Sequence, residues 1–187
     1  MALSNRVQDN HILLDEYKLY KDWTDDTSKD VKLNLFLYSV DDFLQSMYGI
    51  VLNDSNIYTE NFIVDNFNKI FIPYTPFTIQ SISYNNKSVD LNNVIIDNHY
   101  VYEKNKLFAP NTQVSVTFTK GWNDIEKIPI SVKQAVFILA DYLLEKVENN
   151  ANITSSFTDP LSGRAVLLKK IPDEVKLLLF PYRVINV

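Results

Sequence analysis

Residues 113–146 decide the fold, and they read QVSVTFTKGWNDIEKIPISVKQAVFILADYLLEK. Apolar and polar residues alternate from Val114 to Phe118, which is the period of a half-buried β-strand. Gly121 then supplies a turn, and Pro129 stands where a helix begins, because its missing amide would be unpaired there anyway. Ser131 is an alternative cap. The apolar stripe that follows is wide enough to predict a long helix buried on more than one side.

The composition of the whole chain limits the classes of function. Its 187 residues are 46% hydrophobic and 22% charged, which suffices for a folded domain with a core. A net charge of -5 argues against a protein whose main task is to hold phosphate backbones. The absence of cysteine excludes disulfides and thiolate sites. We find neither a transmembrane segment nor a secretory signal in the sequence, and therefore expect no membrane contact.

Two helices are predicted on the N-terminal side of this stretch. His11 to Trp23 has apolar residues on one face, and a longer stripe runs from Lys29 to Tyr48. Gly49 follows the last stripe residue, where a left-handed cap costs glycine least.

Between these helices and residue 113 the pattern is that of β-structure. Short runs of β-branched and aromatic residues alternate with Asn, Asp, Ser and Pro, which predicts a small, mostly antiparallel unit. Asn85-Asn86-Lys87 and Glu103-Lys104-Asn105 are predicted hairpin turns, since Asn tolerates positive φ. The predicted strands are Ile57–Phe62, Lys69–Ile72, Phe77–Tyr84, Val94–Ile96, Tyr100–Glu103, Lys106–Phe108 and Val114–Thr119.

C-terminal to the long helix, Ala151 to Lys170 is a polar stretch that we interpret as a functional loop or an arm ordering against a partner. Ile171-Pro172 opens a last short helix that Pro181 ends. The fold class is therefore α+β: a helical bundle from 1–49 and 126–187, with 50–125 as an inserted, mostly antiparallel β unit.

No catalytic, cofactor-binding or metal site is predicted. The two histidines, His11 and His99, have no second ligand at metal spacing. Three glycines are too few for a phosphate-binding glycine loop. The paired carboxylates Asp25-Asp26 and Asp41-Asp42 are explained by helix capping and a solvated helix face. We therefore expect a protein that is not an enzyme.

The last ten residues are unusually apolar for a chain terminus. Two interpretations stay open: these side chains close the domain's own core, or they are buried against another subunit. The only basic cluster, Lys169-Lys170 with Arg164, is interpreted as a solvated loop before a nucleic-acid or acidic-protein contact.

Several short motifs together carry a family resemblance. They are Pro76-x-Thr78-Ile79-x-Ser81-Ile82, Val116 to Trp122, Ile128-Pro129 opening Val132 to Ala135, Gly163, Ile171-Pro172 before Leu177-Leu178, and Pro181-Tyr182-Arg183. In this order they resemble the head–tail connector (adaptor, or head-completion) proteins of tailed bacteriophages. The β region and the loop after the long helix are longer than is usual in that family.

The resemblance implies a structural virion protein in the phage neck, assembled in the host cytoplasm. It implies a ring, usually of 12 copies, that docks beneath the portal protein, extends the DNA channel and receives a stopper or tail-completion protein. DNA would pass without sequence-specific binding, and no cofactor is involved.

Two contact surfaces are predicted on that basis. The portal or subunit interface comprises Leu178, Leu179, Phe180, Tyr182, Arg183, Val184 and Ile185. The arm to a neighbouring ring or subunit comprises Phe157, Leu161, Arg164, Val166, Leu167, Lys169 and Lys170.

The alternative function is a tail or baseplate accessory module that binds a glycan or a protein. Exposed aromatic residues of the β unit would then line its site. They are Tyr84, Tyr100, Tyr102 and Trp122.

Overall fold

The structure is a computed structural model that describes residues 11–54, 56–122, 124–149 and 171–182, without the side chains of 146–149. The chain divides into two compact units. The helical unit contains the described residues up to 48 and from 124 onward, and the β unit contains residues 49–122. The α+β class predicted from the sequence is confirmed. The assignment of the helical unit as a connector core stays a prediction.

The described part of the helical unit has four α-helices. They are α1 (Leu14–Tyr20), α2 (Asp30–Tyr48), α3 (Ile130–Asn149) and α4 (Asp173–Leu179). A short 3₁₀ helix precedes α3 (Ile125–Lys127) and another follows α4 (Phe180–Tyr182). α3 packs against both α2 and α4.

The predicted apolar stripes form the core of this unit. Leu37 and Val40 of α2, and Leu139 and Ala140 of α3, are fully buried. Phe137, on a different side of α3, is only 9% exposed, so this helix is buried on more than one side, as predicted.

The helix boundaries follow the predicted signals. The amides of Val132 and Lys133 donate to the Pro129 carbonyl oxygen at 2.9 and 3.0 Å, so α3 begins directly after the proline. Gly49 has φ 66 immediately after α2, in the left-handed region that glycine enters without steric cost.

The β unit contains seven described strands in two antiparallel sheets. They are β1 (Ile57–Ile63), β2 (Lys69–Phe71), β3 (Phe77–Tyr84), β4 (Lys87–Ser88), β5 (Val94–Asp97), β6 (Tyr100–Glu103) and β7 (Gln113–Lys120). The larger sheet has the order β1-β7-β3-β4, and the smaller sheet has the order β2-β6-β5.

Strand β7 is an inner strand of the larger sheet, paired with β1 on one side and with β3 on the other, and its buried and less buried residues alternate regularly. Val114, Val116 and Phe118 are fully buried in the core of the unit, together with Ile70 and Phe108. The residues between them face the other side of the sheet. Tyr58 and Phe62 of β1 stand opposite Phe118 and Val114, so they share the core face.

Of the two predicted hairpin turns, one is confirmed and one is wrong. Asn85 and Asn86 have φ 51 and 59 and join the paired residues Tyr84 and Lys87, as a two-residue turn of this kind requires. At Glu103-Lys104-Asn105 the chain also turns, but it does not return as a paired strand.

The strand predicted at Lys106–Phe108 is wrong for the same local reason. The amides of Asn105 and Leu107 donate to one carboxylate oxygen of Glu103, at 2.7 and 3.1 Å. Lys106 has φ 56, which is incompatible with an extended strand. Phe108 is fully buried as a single core residue.

Candidate functional site

Helix α4 carries an apolar surface on its outer side. Val175 and Leu179, one turn apart, are fully buried. Leu177 and Phe180 are 75% and 69% exposed. These two apolar side chains lie three positions apart, at the end of α4 and the start of the 3₁₀ helix after it, and their exposure makes this surface a candidate for contact with a partner. We call Leu177 and Phe180 the α4 patch.

The structure separates residues that the sequence had grouped together as the portal or subunit interface. Leu179 belongs to the core of the protein's own helical unit, and Phe180 is exposed. Leu178 and Tyr182 are half-buried. The other three residues of that group, Arg183, Val184 and Ile185, lie outside the described residues, as does every residue of the predicted arm. The arm residues are Phe157, Leu161, Arg164, Val166, Leu167, Lys169 and Lys170.

A charged pair stands at the N-terminal end of α4. Lys176 Nζ donates to Asp173 Oδ1 at 2.7 Å, and this hydrogen bond is the main reason why the pKa of Asp173 is lowered. Both side chains are exposed. The α4 patch therefore has charged neighbours on its own helix, as the rim of an interface has.

The helical unit is fixed by polar contacts between helices far apart in sequence. Asp141 Oδ1 on α3 accepts hydrogen bonds from the Tyr17 hydroxyl at 2.6 Å and from Lys21 Nζ at 2.9 Å. Lys133 Nζ on α3 donates to Glu16 Oε1 on α1 at 2.7 Å. These contacts hold α1 against α3 in one orientation.

His11 also connects distant segments of the helical unit, through hydrogen bonds to Asn34 and Asp41 of α2. Its backbone amide donates to Asn34 Oδ1 at 2.8 Å, and its Nδ1 accepts the amide of Leu13 at 3.1 Å. Nε2 therefore carries the proton that is donated to Asp41 Oδ2 at 2.8 Å. Asp41 was predicted to lie on a solvated helix face, and that prediction is wrong, because it holds a histidine that is 3% exposed.

Asp26, of the other carboxylate pair, forms a local turn before α2 and does not cap the helix, which begins at Asp30. Its Oδ1 accepts from the amide and the hydroxyl of Ser28, and these two hydrogen bonds lower the pKa of Asp26.

In the β unit, Lys120 is enclosed by two aromatic rings. Its Nζ lies 4.1 Å from the ring centroid of Tyr58, 4.3 Å from that of Tyr74 and 3.6 Å from Asp54 Oδ2. The lysine is 6% exposed. A cation held between two rings and a carboxylate has its charge largely satisfied internally, so Lys120 stabilises the unit and is not a free basic site.

The hydroxyl of Tyr58 completes this cluster by donating to Asp54 Oδ2 at 2.7 Å. Burial, and then this hydrogen bond, raise the pKa of Tyr58, and burial also raises the pKa of Tyr74. Sequence reasoning missed the cluster, although the period of two does place Phe118 and Lys120 on one face of β7.

The outer face of the larger sheet contains no charged side chain on strands β1, β3 and β7. Seven of its residues carry hydroxyl groups, and the side-chain oxygens of Thr59 and Thr117 are 3.0 Å apart. The residues of this face are Ile57, Thr59, Asn61, Ile63, Thr78, Ser81, Ser83, Gln113, Ser115, Thr117 and Thr119. Ile57 and Ile63, at the two ends of β1, are 63% and 62% exposed.

The aromatic residues of the alternative function do not form one exposed set. Tyr84 is a core residue, 9% exposed, and its oxygen accepts the amide of Ala109 at 3.2 Å. Tyr100 and Tyr102 are half-buried on β6, and Lys69 Nζ lies 5.5 and 5.0 Å from their ring centroids.

The described residues contain neither a metal-binding cluster nor a membrane-spanning helix. No three His, Asp or Glu side chains there are grouped so that they could hold a metal ion. Among the described helices, none combines the length and the apolar character that crossing a bilayer requires.

Comparison with known proteins gives structural similarity without sequence similarity. No family model and no curated protein matches the chain. A chain in the neck of an empty gene transfer agent (GTA) particle, computed with C6 symmetry, has a TM-score of 0.57 at 16% identity. The match covers 93% of this chain and 90% of the neck chain.

Two further solved structures give the same result. The neck of the native particle, computed with C12 symmetry, has a TM-score of 0.55 at 14% identity over 94% of this chain and 90% of that one. A chain in the virion of the native gene transfer agent has a TM-score of 0.52 at 16% identity, and the match covers 85% of this chain and 80% of that one. At this identity the similarity shows a shared fold, and the resemblance found in the sequence is confirmed at that level.

Proposed function

We propose that this protein is a head–tail connector, or adaptor, of a tailed phage: a structural, non-enzymatic protein that forms a ring in the neck beneath the portal. The ring extends the DNA channel and receives the stopper or tail-completion protein. The observation that carries this proposal is the shared fold with neck chains, which extends over more than nine-tenths of this chain in two structures.

The symmetry of those neck structures supports assembly into a ring. They were computed with C6 and C12 symmetry, and we propose 12 copies for this protein. A cyclic ring uses two different patches on each subunit, one for each neighbour. The α4 patch and the outer face of the larger sheet are two such surfaces in separate units.

The charge of the chain supports passage of DNA without retention. A net charge of -5 gives phosphate groups little attraction, so DNA would slide past the ring during ejection. Sequence-specific DNA binding has no role in this function.

We assign the wall of the ring to α2 and α3, whose stripes form the buried centre of the helical unit. The contact with the portal or with a neighbouring subunit is assigned to Leu177, Leu178, Phe180 and Tyr182 together with the tail Arg183–Val187. Leu179 is removed from this set because it is fully buried within the protein's own helical unit. The segment from Asn150 to Lys170 is assigned to the neighbouring ring or subunit.

The first experiment replaces the α4 patch. Leu177→Glu with Phe180→Glu is expected to leave the melting temperature nearly unchanged, because both side chains are exposed. Ring formation and binding to portal protein should fall at least about tenfold, since a charge buried in an apolar interface is strongly unfavourable. Native mass spectrometry and electron microscopy, with and without portal protein, measure both.

Ile96→Glu is the matched control, because Ile96 is 49% exposed in the other unit.

Deletion of residues 181–187 should likewise give a folded protein that fails to join the portal. A stable monomer that ignores portal protein and binds sugars would contradict the proposal and favour the accessory binding module.

A further inference from the structure

Strand β1 is an open edge of the larger sheet. It pairs with β7 on one side, and no strand in the described part of the chain pairs with its other side. Its seven residues, IYTENFI, include neither proline nor lysine, the two residues that most often protect an edge from further pairing. The peptide groups on its outer side are therefore a template for another strand.

Glu60 in the middle of β1 restricts which strand can be added. It stands opposite Val116 of β7, a core residue, so its side chain is on the core side of the edge. No hydrogen bond or ion pair engages its carboxylate within the described residues. An added strand would remove water from this carboxylate, which is unfavourable unless the strand also brings a cation.

The C-terminal tail has the chemistry that this edge requires. Residues 183–187 read RVINV, with three β-branched side chains and one charge, the cation of Arg183. Five extended residues span about 16 Å, which is shorter than the roughly 23 Å of β1, and with Arg183 opposite Glu60 four of the five lie opposite residues of β1. The tail begins directly after the α4 patch.

We propose that the tail 183–187 of one copy adds as a further strand to the β1 edge of the neighbouring copy, with Arg183 paired to that copy's Glu60. This inference rests on the proposed ring. Each copy then donates one tail and accepts one, so a closed ring leaves no β1 edge unpaired, which is the heterologous contact that cyclic symmetry needs.

Disulfide trapping tests the contact directly, because the chain has no cysteine of its own. With Arg183 opposite Glu60, Val184 falls beside Thr59 in an antiparallel pairing and beside Asn61 in a parallel one, on the outer face of the sheet. The variants Thr59→Cys with Val184→Cys and Asn61→Cys with Val184→Cys are each assembled, alone or on portal protein, and then oxidised, and one of the two should cross-link. A ladder of disulfide-linked multimers on a denaturing gel is expected, and each single-cysteine variant should give no ladder. Intact rings that yield only a link within one chain, or no link with cysteines along 57–63, would overturn the inference.

A charge exchange tests the specificity. Glu60→Arg and Arg183→Glu are each expected to weaken ring formation by about tenfold, and the double variant should recover most of that loss. Glu126→Arg, an exposed residue of the helical unit, makes the same charge change and should have no effect. Two single effects that simply add in the double variant would contradict the pairing.

These outcomes separate the inference from the proposed function. Rings that form and join the portal while the exchange and trapping fail would overturn the tail contact and leave the connector standing. A wild-type protein that forms no ring and ignores portal protein would remove the basis of both.

Discussion

The helical unit and the β unit use charged side chains in different ways. In the helical unit, charges join helices: Asp141 and Lys133 of α3 hold α1, and Asp41 of α2 holds His11. In the β unit the larger sheet keeps its charge on the core side, where Lys120 is enclosed by rings, and its outer face has none.

This difference indicates a division of tasks. Ion pairs between helices fix an orientation, because each pair is satisfied in one arrangement. An outer sheet face without charges can be covered by a partner without removing water from an ion. We therefore expect the helical unit to set the geometry of the protomer and the β unit to offer adaptable contact surface.

The most severe test of the comparison asks whether the units unfold separately. Leu139→Ala in α3 and Phe118→Ala in β7 each remove a fully buried side chain and should cost about 2–5 kcal/mol of folding free energy. If the units are independent, each substitution lowers the stability of its own unit only.

The chain supplies a probe for each unit, because its two tryptophans, Trp23 and Trp122, fall one in each. Trp122→Phe leaves fluorescence from the helical unit, and Trp23→Phe leaves fluorescence from the β unit. In denaturant unfolding of these two backgrounds, Leu139→Ala should lower the transition midpoint reported by Trp23, and Phe118→Ala should lower the midpoint reported by Trp122. Both probes shifting together would mean a single cooperative structure.

A smaller effect is expected where a charge contact is removed. Asp54→Ala removes the carboxylate that is paired with Lys120, whose side chain is 7% exposed. The substitution should lower the free energy of unfolding by about 2–3 kcal/mol. Asp141→Ala affects Lys21, whose side chain is 29% exposed, and should cost about 1–2 kcal/mol, mainly through the buried Tyr17 hydroxyl. Thermal unfolding measures both, and the reverse order would contradict the different use of charge described above.

The smallest effect concerns two tyrosines of the β unit at alkaline pH. The pKa of Tyr58 is raised above 10.0 by burial and by its donation to Asp54, so its stabilising effect is present below pH 10 and lost as the pH rises through the folded value. The pKa of Tyr84 is lowered below 10.0, because its oxygen accepts from Thr112 and Ala109, so its contribution grows at high pH.

Tyr58→Phe should therefore reduce the loss of stability between about pH 9 and about pH 11, and Tyr84→Phe should increase it. Denaturant unfolding at the two pH values measures the stability, and tyrosinate absorbance shows which residue ionises first. Ionisation of Tyr58 before Tyr84 would contradict the assignment.

Much of the fold could be predicted from local pattern. The stripes of α2 and α3, with Gly49 and Pro129 at their boundaries, place both helices within a residue or two. Strands β3 and β6 lie at the predicted residues, and the turn after β3 is marked by asparagine. The two-residue strand β4 was missed, since a segment that short has no measurable period.

The other wrong and missed predictions have a common physical cause. In each case a side chain either accepts hydrogen bonds from nearby backbone amides or contacts a residue far away in the sequence. The Glu103 carboxylate accepts the amides that a strand at Lys106 would need. The hydrogen bond from Tyr17 to Asp141 joins residues separated by 124 positions, which no local pattern reveals. The sequence shows that the predicted portal or subunit interface is apolar. Only the packing of α4 shows that Leu179 is buried and Phe180 is exposed.

The Trp122 amide donates to the Leu52 carbonyl oxygen at 3.1 Å, so the segments that lead into and out of the β unit run side by side. Gly121, with φ 92, turns the outgoing segment at this point, and its amide donates to Pro76. A module whose ends meet can be exchanged through evolution for a longer, shorter or unrelated one, while the surrounding helices keep their path. Proteins of this fold can in this way acquire different surfaces by replacing a single module.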